Sequence, residues 1–121
     1  MNGRDADHKQ DVYWRGKLQL ALDTSRVELD SIESELAATR AIRGNGGDDD
    51  EHDPDGIPLS SVLQLLEGQK MRTLAHIRDA ESALVVLEQG QFGICVRCSA
   101  RIAPGRLEIK PTTTTCISCA R

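Results

Sequence analysis

Two C-x-x-C pairs near the end of the chain constrain its fold more than any other feature. The 121 residues include four cysteines, in the order C-x2-C-x17-C-x2-C: Cys95, Cys98, Cys116 and Cys119. Each C-x-x-C turn points two sulfurs in the same direction, and the intervening loop brings the second pair round to complete a tetrahedron, as zinc requires. Four thiolates leave no open coordination position, so the predicted zinc ion is structural.

The residues alone leave three other uses of the cysteines to consider. Disulfides are disfavoured because the polar start of the chain contains no secretory segment, and thiols stay reduced in the cytosol. A thioredoxin-like redox site requires a βαβ context, and the sequence has none. A rubredoxin-like iron site has the same ligand geometry, and spacing alone does not separate iron from zinc. Either metal would stabilise a segment that is too short to build its own core.

Two long helices are predicted upstream of the cysteines. From about residue 9 to 43, side chains recur at alternating steps of four and three, and five of these seven are apolar: Leu18, Leu22, Ser25, Leu29, Ile32, Leu36 and Thr39. From about 59 to 90 the same rhythm continues through Leu63, Leu66, Lys70, Thr73, Ile77, Ala80, Leu84 and Leu87. This pattern is the heptad seam of an amphipathic helix, and Gly90 is expected to end the second one.

The two seams are expected to bury each other, because neither helix can bury its own stripe alone. Pairing between separate chains is the alternative, and it loses more entropy. The predicted fold is mainly α: a long antiparallel helical hairpin (a coiled coil) over residues 1–91, followed by a small four-Cys zinc finger over residues 92–121. The loop between the helices, at about residues 44–58, is rich in glycine and proline.

Charge is distributed unevenly within the net charge of −4. Residues 44–57 hold six acidic side chains and no Lys or Arg, whereas Glu108 is the sole acid of residues 92–121. The basic residues of that last segment are Arg97, Arg101, Arg106, Lys110 and Arg121. No run approaches the roughly 20 apolar residues of a membrane span, so we expect a cytoplasmic protein. Because the two helices are expected to pair within one chain, we expect a monomer.

The last 30 residues resemble the C-terminal zinc finger of the DksA/TraR family of bacterial transcription regulators. The family pattern is aromatic-G-x-C-x-x-C-G-x-x-I-x-x-x-R-L-x-x-x-P-x-x-x-x-C-x-x-C. The residues that stand in register with it are Phe92, Gly93, Cys95, Cys98, Ile102, Arg106, Leu107, Pro111, Cys116 and Cys119. Ser99 departs from the pattern, since the family usually has glycine there, and it is expected to strain the turn without abolishing metal binding.

The acidic loop is similar to the tips of family members from high-GC Gram-positive bacteria, so the chain looks like an actinobacterial-type member. The family's tip motif, D-x-x-D-x-A, is matched by Asp50 and Asp53, with Asp55 where alanine is expected. The resemblance implies that these three acids are partner-binding tip residues. It also implies a basic set that contacts the rim of the partner: Arg72, Arg106 and Lys110.

The resemblance implies a mechanism as well. Such proteins bind RNA polymerase directly, insert the coiled coil into its secondary channel, and bring the tip acids close to the catalytic centre, which alters initiation. Some members also bind the alarmone ppGpp through basic residues. Here Lys110 keeps one such position, but Asp79 and Ala120 stand where others have lysine. Direct ppGpp binding is therefore predicted to be weak or absent.

Two other classes of function remain open from the residues. A zinc-ribbon module that binds nucleic acid would use the basic finger, although Phe92 is its only aromatic side chain for stacking bases. A coiled-coil scaffold capped by the finger is the other. No nucleophile–base pair or open metal site is visible, so an enzyme is not expected. Tyr13 and Trp14 are predicted to pack near the finger.

Overall fold

The computed structural model describes residues 2–44 and 57–120. Within these ranges the chain forms three helices: α1 (Asn2–Gly44), α2 (Leu59–Glu88) and the short α3 (Pro104–Ile109). The described residues contain no β-strand, only an isolated antiparallel bridge between Ile94 and Arg101. The prediction of two long helices is confirmed. α1 begins about seven residues earlier than predicted. Residues 2–8 lie before the seam, but they contain no proline that would stop the helix.

The predicted seams are the buried faces of both long helices. Every position of the two seams is buried or half-buried. The buried members are Leu18, Leu22, Ile32, Leu36, Leu66, Thr73, Ile77, Ala80 and Leu87. Thr73, which interrupts the apolar pattern, is only 4% exposed, so it occupies a core position rather than a break in the packing. The helices therefore stabilise one another through apolar burial along the predicted faces.

The end of α2 follows from Gly90, as the sequence predicted. Gly90 has a φ of 75°, in the left-handed region that glycine adopts without strain. Its N–H donates to the carbonyl of Leu87 at 3.0 Å, and the N–H of Gln91 donates to that of Val86 at 3.1 Å. These two bonds form a Schellman motif, which satisfies the last carbonyls of the helix and turns the chain into the cysteine segment.

The chain divides into two compact units. One contains residues 24–76, where Ile32 and Leu36 of α1 pack with Leu66 of α2, and Arg40 forms an ion pair with Glu67. Its two helix segments are thus held by an apolar cluster and a surface ion pair.

The other unit contains residues 1–23 together with 77–121. Here Arg15 of α1 forms an ion pair with Glu88 of α2 at 3.1 Å. Each unit thus joins a segment of α1 to a segment of α2, and the mainly α fold with a helical hairpin is as predicted. Among the described residues, neither long helix combines the length and apolar character that a membrane crossing needs.

Candidate metal centre

The four cysteine sulfurs converge on one point. Their Sγ atoms all lie within 4.8 Å of one another, and the Sγ atoms of Cys98 and Cys116 are 3.7 Å apart. Zinc bonds of about 2.3 Å in a tetrahedron place neighbouring sulfurs about 3.8 Å apart, so the cluster has the dimensions of a zinc site. None of the four forms a disulfide. The arrangement therefore suits one closed, four-coordinate structural zinc ion.

Backbone hydrogen bonds shape the two cysteine turns. In the first turn, the Ser99 N–H donates to the Cys95 carbonyl at 2.9 Å; in the second, the Cys119 N–H donates to the Cys116 carbonyl at 3.1 Å. The N–H of Val96 donates to the carbonyl of Thr114 at 2.9 Å, which joins the first turn to the segment just before the second. The two halves of the metal site are consequently positioned by the main chain and not only by the metal.

A small apolar cluster lies against the metal site. Its buried members, Cys95, Ile102 and Leu107, are respectively 1%, 3% and 5% exposed. Leu107 comes from α3, a helix that begins with proline, whose fixed φ suits a first helical position. Trp14 of α1 packs on this cluster, and its ring centroid lies 5.4 Å from that of Phe92. The prediction that Trp14 packs near the finger is confirmed.

Hydrogen bonds within the site favour an ionised sulfur. Backbone groups of Cys116, and then of Cys98, bond to the Cys95 sulfur and lower the pKa of Cys95 to about 6. The pKa of Cys119 is raised to about 12 by side-chain hydrogen bonds to the other cysteines, Cys116 foremost. A negative sulfur surrounded by further sulfurs is the environment that a divalent cation stabilises.

Zinc is expected to remain bound at neutral pH and to be released on acidification, because protons compete with the metal for the four sulfurs. Titration of the zinc-loaded protein with acid, with a coloured chelator to detect free zinc, measures this release. A midpoint at or above neutral pH would contradict a tightly bound structural zinc ion.

The first cysteine turn contains a strained residue. Ser99 has a φ of 64° and is the one non-glycine with a positive φ in the described ranges. Side chains with a Cβ adopt this region at a cost. The expectation that Ser99 strains the turn, drawn from the glycine usual at this position, agrees with this backbone conformation.

Replacing Ser99 with glycine is expected to stabilise the metal-bound finger by about 1 kcal/mol, because glycine adopts a positive φ without that cost. This corresponds to roughly fivefold tighter zinc binding in a competition with a chelator. Ser118→Gly is the matched control, since Ser118 lies in the second cysteine turn without a positive φ. Equal or weaker zinc binding by Ser99→Gly would show that the turn is not strained.

The carboxylate of Glu108 ties α3 to α1. It accepts a hydrogen bond from the Tyr13 hydroxyl at 2.7 Å and forms an ion pair with Lys17 Nζ at 2.5 Å. These partners, Lys17 first, lower the pKa of Glu108, and the same contact raises the pKa of Lys17. Sequence reasoning did not assign Glu108 a role, although it is the sole acid in a basic segment, which was the available signal.

The predicted partner-binding residues lie in different parts of the chain. Arg106 donates from Nε to the Thr115 carbonyl at 2.9 Å, so part of its bonding capacity supports the finger. Lys110, at the end of α3, is exposed. Arg72 is exposed on α2, in the unit of residues 24–76. The tip acids Asp50, Asp53 and Asp55 lie outside the described residues.

Comparison with known proteins identifies the finger. Residues 90–121 match the family described as prokaryotic dksA/traR C4-type zinc finger. With the sulfur geometry, this assigns the cluster as a C4 zinc site and favours zinc over iron.

The fold has a solved counterpart. Transcription factor DksA2 from Pseudomonas aeruginosa superposes with a TM-score of 0.74 at 19% identity, covering 91% of this chain and 79% of the other. An uncharacterised protein from Aquifex aeolicus is 37% identical over 62 residues, which are 51% of this chain. The match spans 43% of that relative's length. The similarity to DksA2 thus extends through the helical part, whereas the family match is confined to the finger.

Proposed function

We propose that this chain, a member of the DksA/TraR family, is a transcription regulator that binds RNA polymerase directly. In this proposal the helical hairpin of residues 1–91 enters the secondary channel, and the finger of residues 92–121 docks at its rim. The acidic loop approaches the catalytic centre, and initiation changes as a result. The observation that carries the proposal is the family match of the finger, on a fold shared with DksA2 over most of the chain.

The chemistry of the zinc site supports a role in docking rather than catalysis. Four thiolates fill the coordination sphere of zinc, so no metal-bound water is available to attack a substrate. A closed site fixes the backbone around it and presents a rigid surface. We therefore propose that the protein is a regulator and not an enzyme.

The role proposed for the loop rests on the sequence. Asp50 and Asp53 match the tip motif of the family, and Asp55 adds a third carboxylate. Carboxylates are natural partners of Mg2+, the ion at a polymerase active centre. Arg72, Arg106 and Lys110 are proposed as the basic residues that contact the rim, as the family resemblance implies. The polymerase surface that receives them must then offer acids or carbonyls.

Several further expectations belong to this proposal. The protein acts in the cytoplasm as a monomer, without sequence-specific DNA binding or membrane association. Its response to ppGpp is weak or absent, because Asp79 repels a phosphate-rich ligand and Ala120 offers no charge to it. The assignment to an actinobacterial-type branch stays a prediction from the loop sequence.

Co-purification with core RNA polymerase tests the proposal. The tagged protein is expected to retain core polymerase in the absence of DNA, and free DNA is expected to migrate unshifted in its presence. A nucleic-acid module would instead shift DNA with an affinity that falls steeply as salt rises. A scaffold would bind neither and would sediment as an oligomer. Failure to bind polymerase under conditions that keep one zinc per chain would overturn the proposal.

A further inference from the structure

A groove on the finger combines exposed apolar and basic side chains. It encloses about 710 Å³, and the side chains that define it here as the finger groove are Arg101, Arg106, Ile109, Lys110 and Ile117. The groove lies within the unit formed by residues 1–23 and 77–121. It contacts the second cysteine pair through Cys116, so the metal site fixes one of its walls.

Two isoleucines of the finger groove are left in water. Ile109 is 88% exposed and Ile117 is 72% exposed, which makes Ile109 the most exposed large apolar side chain of the described residues. Ile109 ends α3, and Ile117 lies between the two cysteines of the second pair. Both backbones are therefore positioned before any partner arrives. Burying such pre-positioned apolar side chains is favourable because little conformational entropy is lost.

The charges around these isoleucines have one sign. No acidic residue lines the finger groove. Glu108, the neighbour of Ile109, is occupied by Tyr13 and Lys17. Arg101 and Lys110 are exposed, and no ion pair recorded within residues 9–44 and 57–120 involves either of them.

We infer that the finger groove docks an acidic segment of the polymerase that carries a large apolar side chain. The apolar side chain packs between Ile109 and Ile117, and the acids pair with Arg101 and Lys110. This inference rests on the proposed function and names the surface of the finger that makes the contact. The isoleucines supply burial, while the flanking charges supply orientation and association rate.

A polypeptide suits the finger groove better than a nucleic acid does. No aromatic side chain lines it, so unpaired bases have no stacking platform. Zinc with four thiolates carries about −2, which offsets part of the basic charge beside Cys116. The net charge of the whole chain, −4, also opposes a phosphate backbone. Two exposed isoleucines have no favourable partner on such a backbone, whereas an apolar side chain of a protein buries them.

Binding of core polymerase by two kinds of groove variant tests the inference. The double variants Ile109→Ser/Ile117→Ser and Arg101→Glu/Lys110→Glu are each expected to weaken polymerase binding at least tenfold. The binding that remains in the charge variant, Arg101→Glu/Lys110→Glu, is expected to lose its dependence on salt. Matched controls are Val96→Ser, an apolar residue of the finger that is 71% exposed and lies outside the finger groove, and Arg78→Glu, on the exposed surface of α2. Both controls are expected to bind within twofold of the unmodified protein.

The outcomes separate the inference from the proposed function. If the unmodified protein binds polymerase and the groove variants bind equally well, the inference is wrong and the proposed function stands. If the unmodified protein does not bind polymerase, both fail. A DNA shift that the charge variant abolishes would assign the groove to nucleic acid and overturn the inference. Zinc content is measured for each variant, and the single change Ile109→Ser replaces the double one if zinc is lost.

Discussion

Replacing Cys116 with serine is expected to unfold the finger and reduce bound zinc from one per chain to almost none. A structural zinc site contributes about 10 kcal/mol or more in isolated fingers, and a serine hydroxyl is a poor replacement for a thiolate ligand. The apolar cluster of Cys95, Ile102 and Leu107 is too small to hold the segment without the metal. The helical signal in circular dichroism is expected to persist, because the seams of α1 and α2 do not depend on zinc.

Zinc content and limited proteolysis measure this effect together. In the Cys116→Ser variant, residues 92–121 are expected to become sensitive to trypsin, which cleaves after the arginines of the finger. Ser118→Ala is the matched control, since it changes an exposed side chain of the same turn and keeps all four sulfurs. A Cys116→Ser protein that retains one zinc and a protease-resistant finger would contradict the structural role of the metal.

The double variant Asp50→Asn/Asp53→Asn is expected to bind polymerase within twofold of the unmodified protein while losing at least tenfold of its effect on transcription. Asparagine keeps the size of aspartate and removes its charge, so the loop loses its attraction for Mg2+. Binding is expected to survive because the finger and the helices make the remaining contacts. In vitro transcription and polymerase binding are measured on the same preparations.

The matched control for the tip variant is Asp48→Asn/Asp49→Asn. It removes the same charge from the same loop but leaves Asp50 and Asp53, the two positions of the family motif. An equal loss of the transcriptional effect in this control would mean that the total charge of the loop matters and not those two residues. Loss of binding by the Asp50/Asp53 variant would make the tip an anchor rather than an effector.

The sequence predicted the features that depend on local spacing. The metal site follows from two C-x-x-C pairs, because the turn geometry of each pair is encoded within four residues. The buried faces of α1 and α2 follow from the periodicity of residues such as Leu18, Leu36 and Leu66. Gly90 predicted the end of α2 because few residues other than glycine adopt its φ without strain.

The sequence did not predict the features that depend on contacts between distant residues. α3 is six residues long, too short to show a helical period, and only its initial Pro104 signals it. Tyr13 was predicted to lie near the finger, but its partner Glu108 is 95 positions away, and no local pattern identifies that carboxylate as the one it contacts. The exposure of Ile109 and Ile117 was also missed, because an apolar residue in a short segment gives no indication of which face it occupies.

A photo-crosslinking residue placed at position 53 tests the central claim most directly. In complex with core polymerase, the crosslinks are expected to map to peptides that line the active centre of the catalytic subunit, reached through the secondary channel. Crosslinks confined to the outer surface of polymerase, or none at all while binding is retained, would contradict the claim that the acidic loop approaches the catalytic centre.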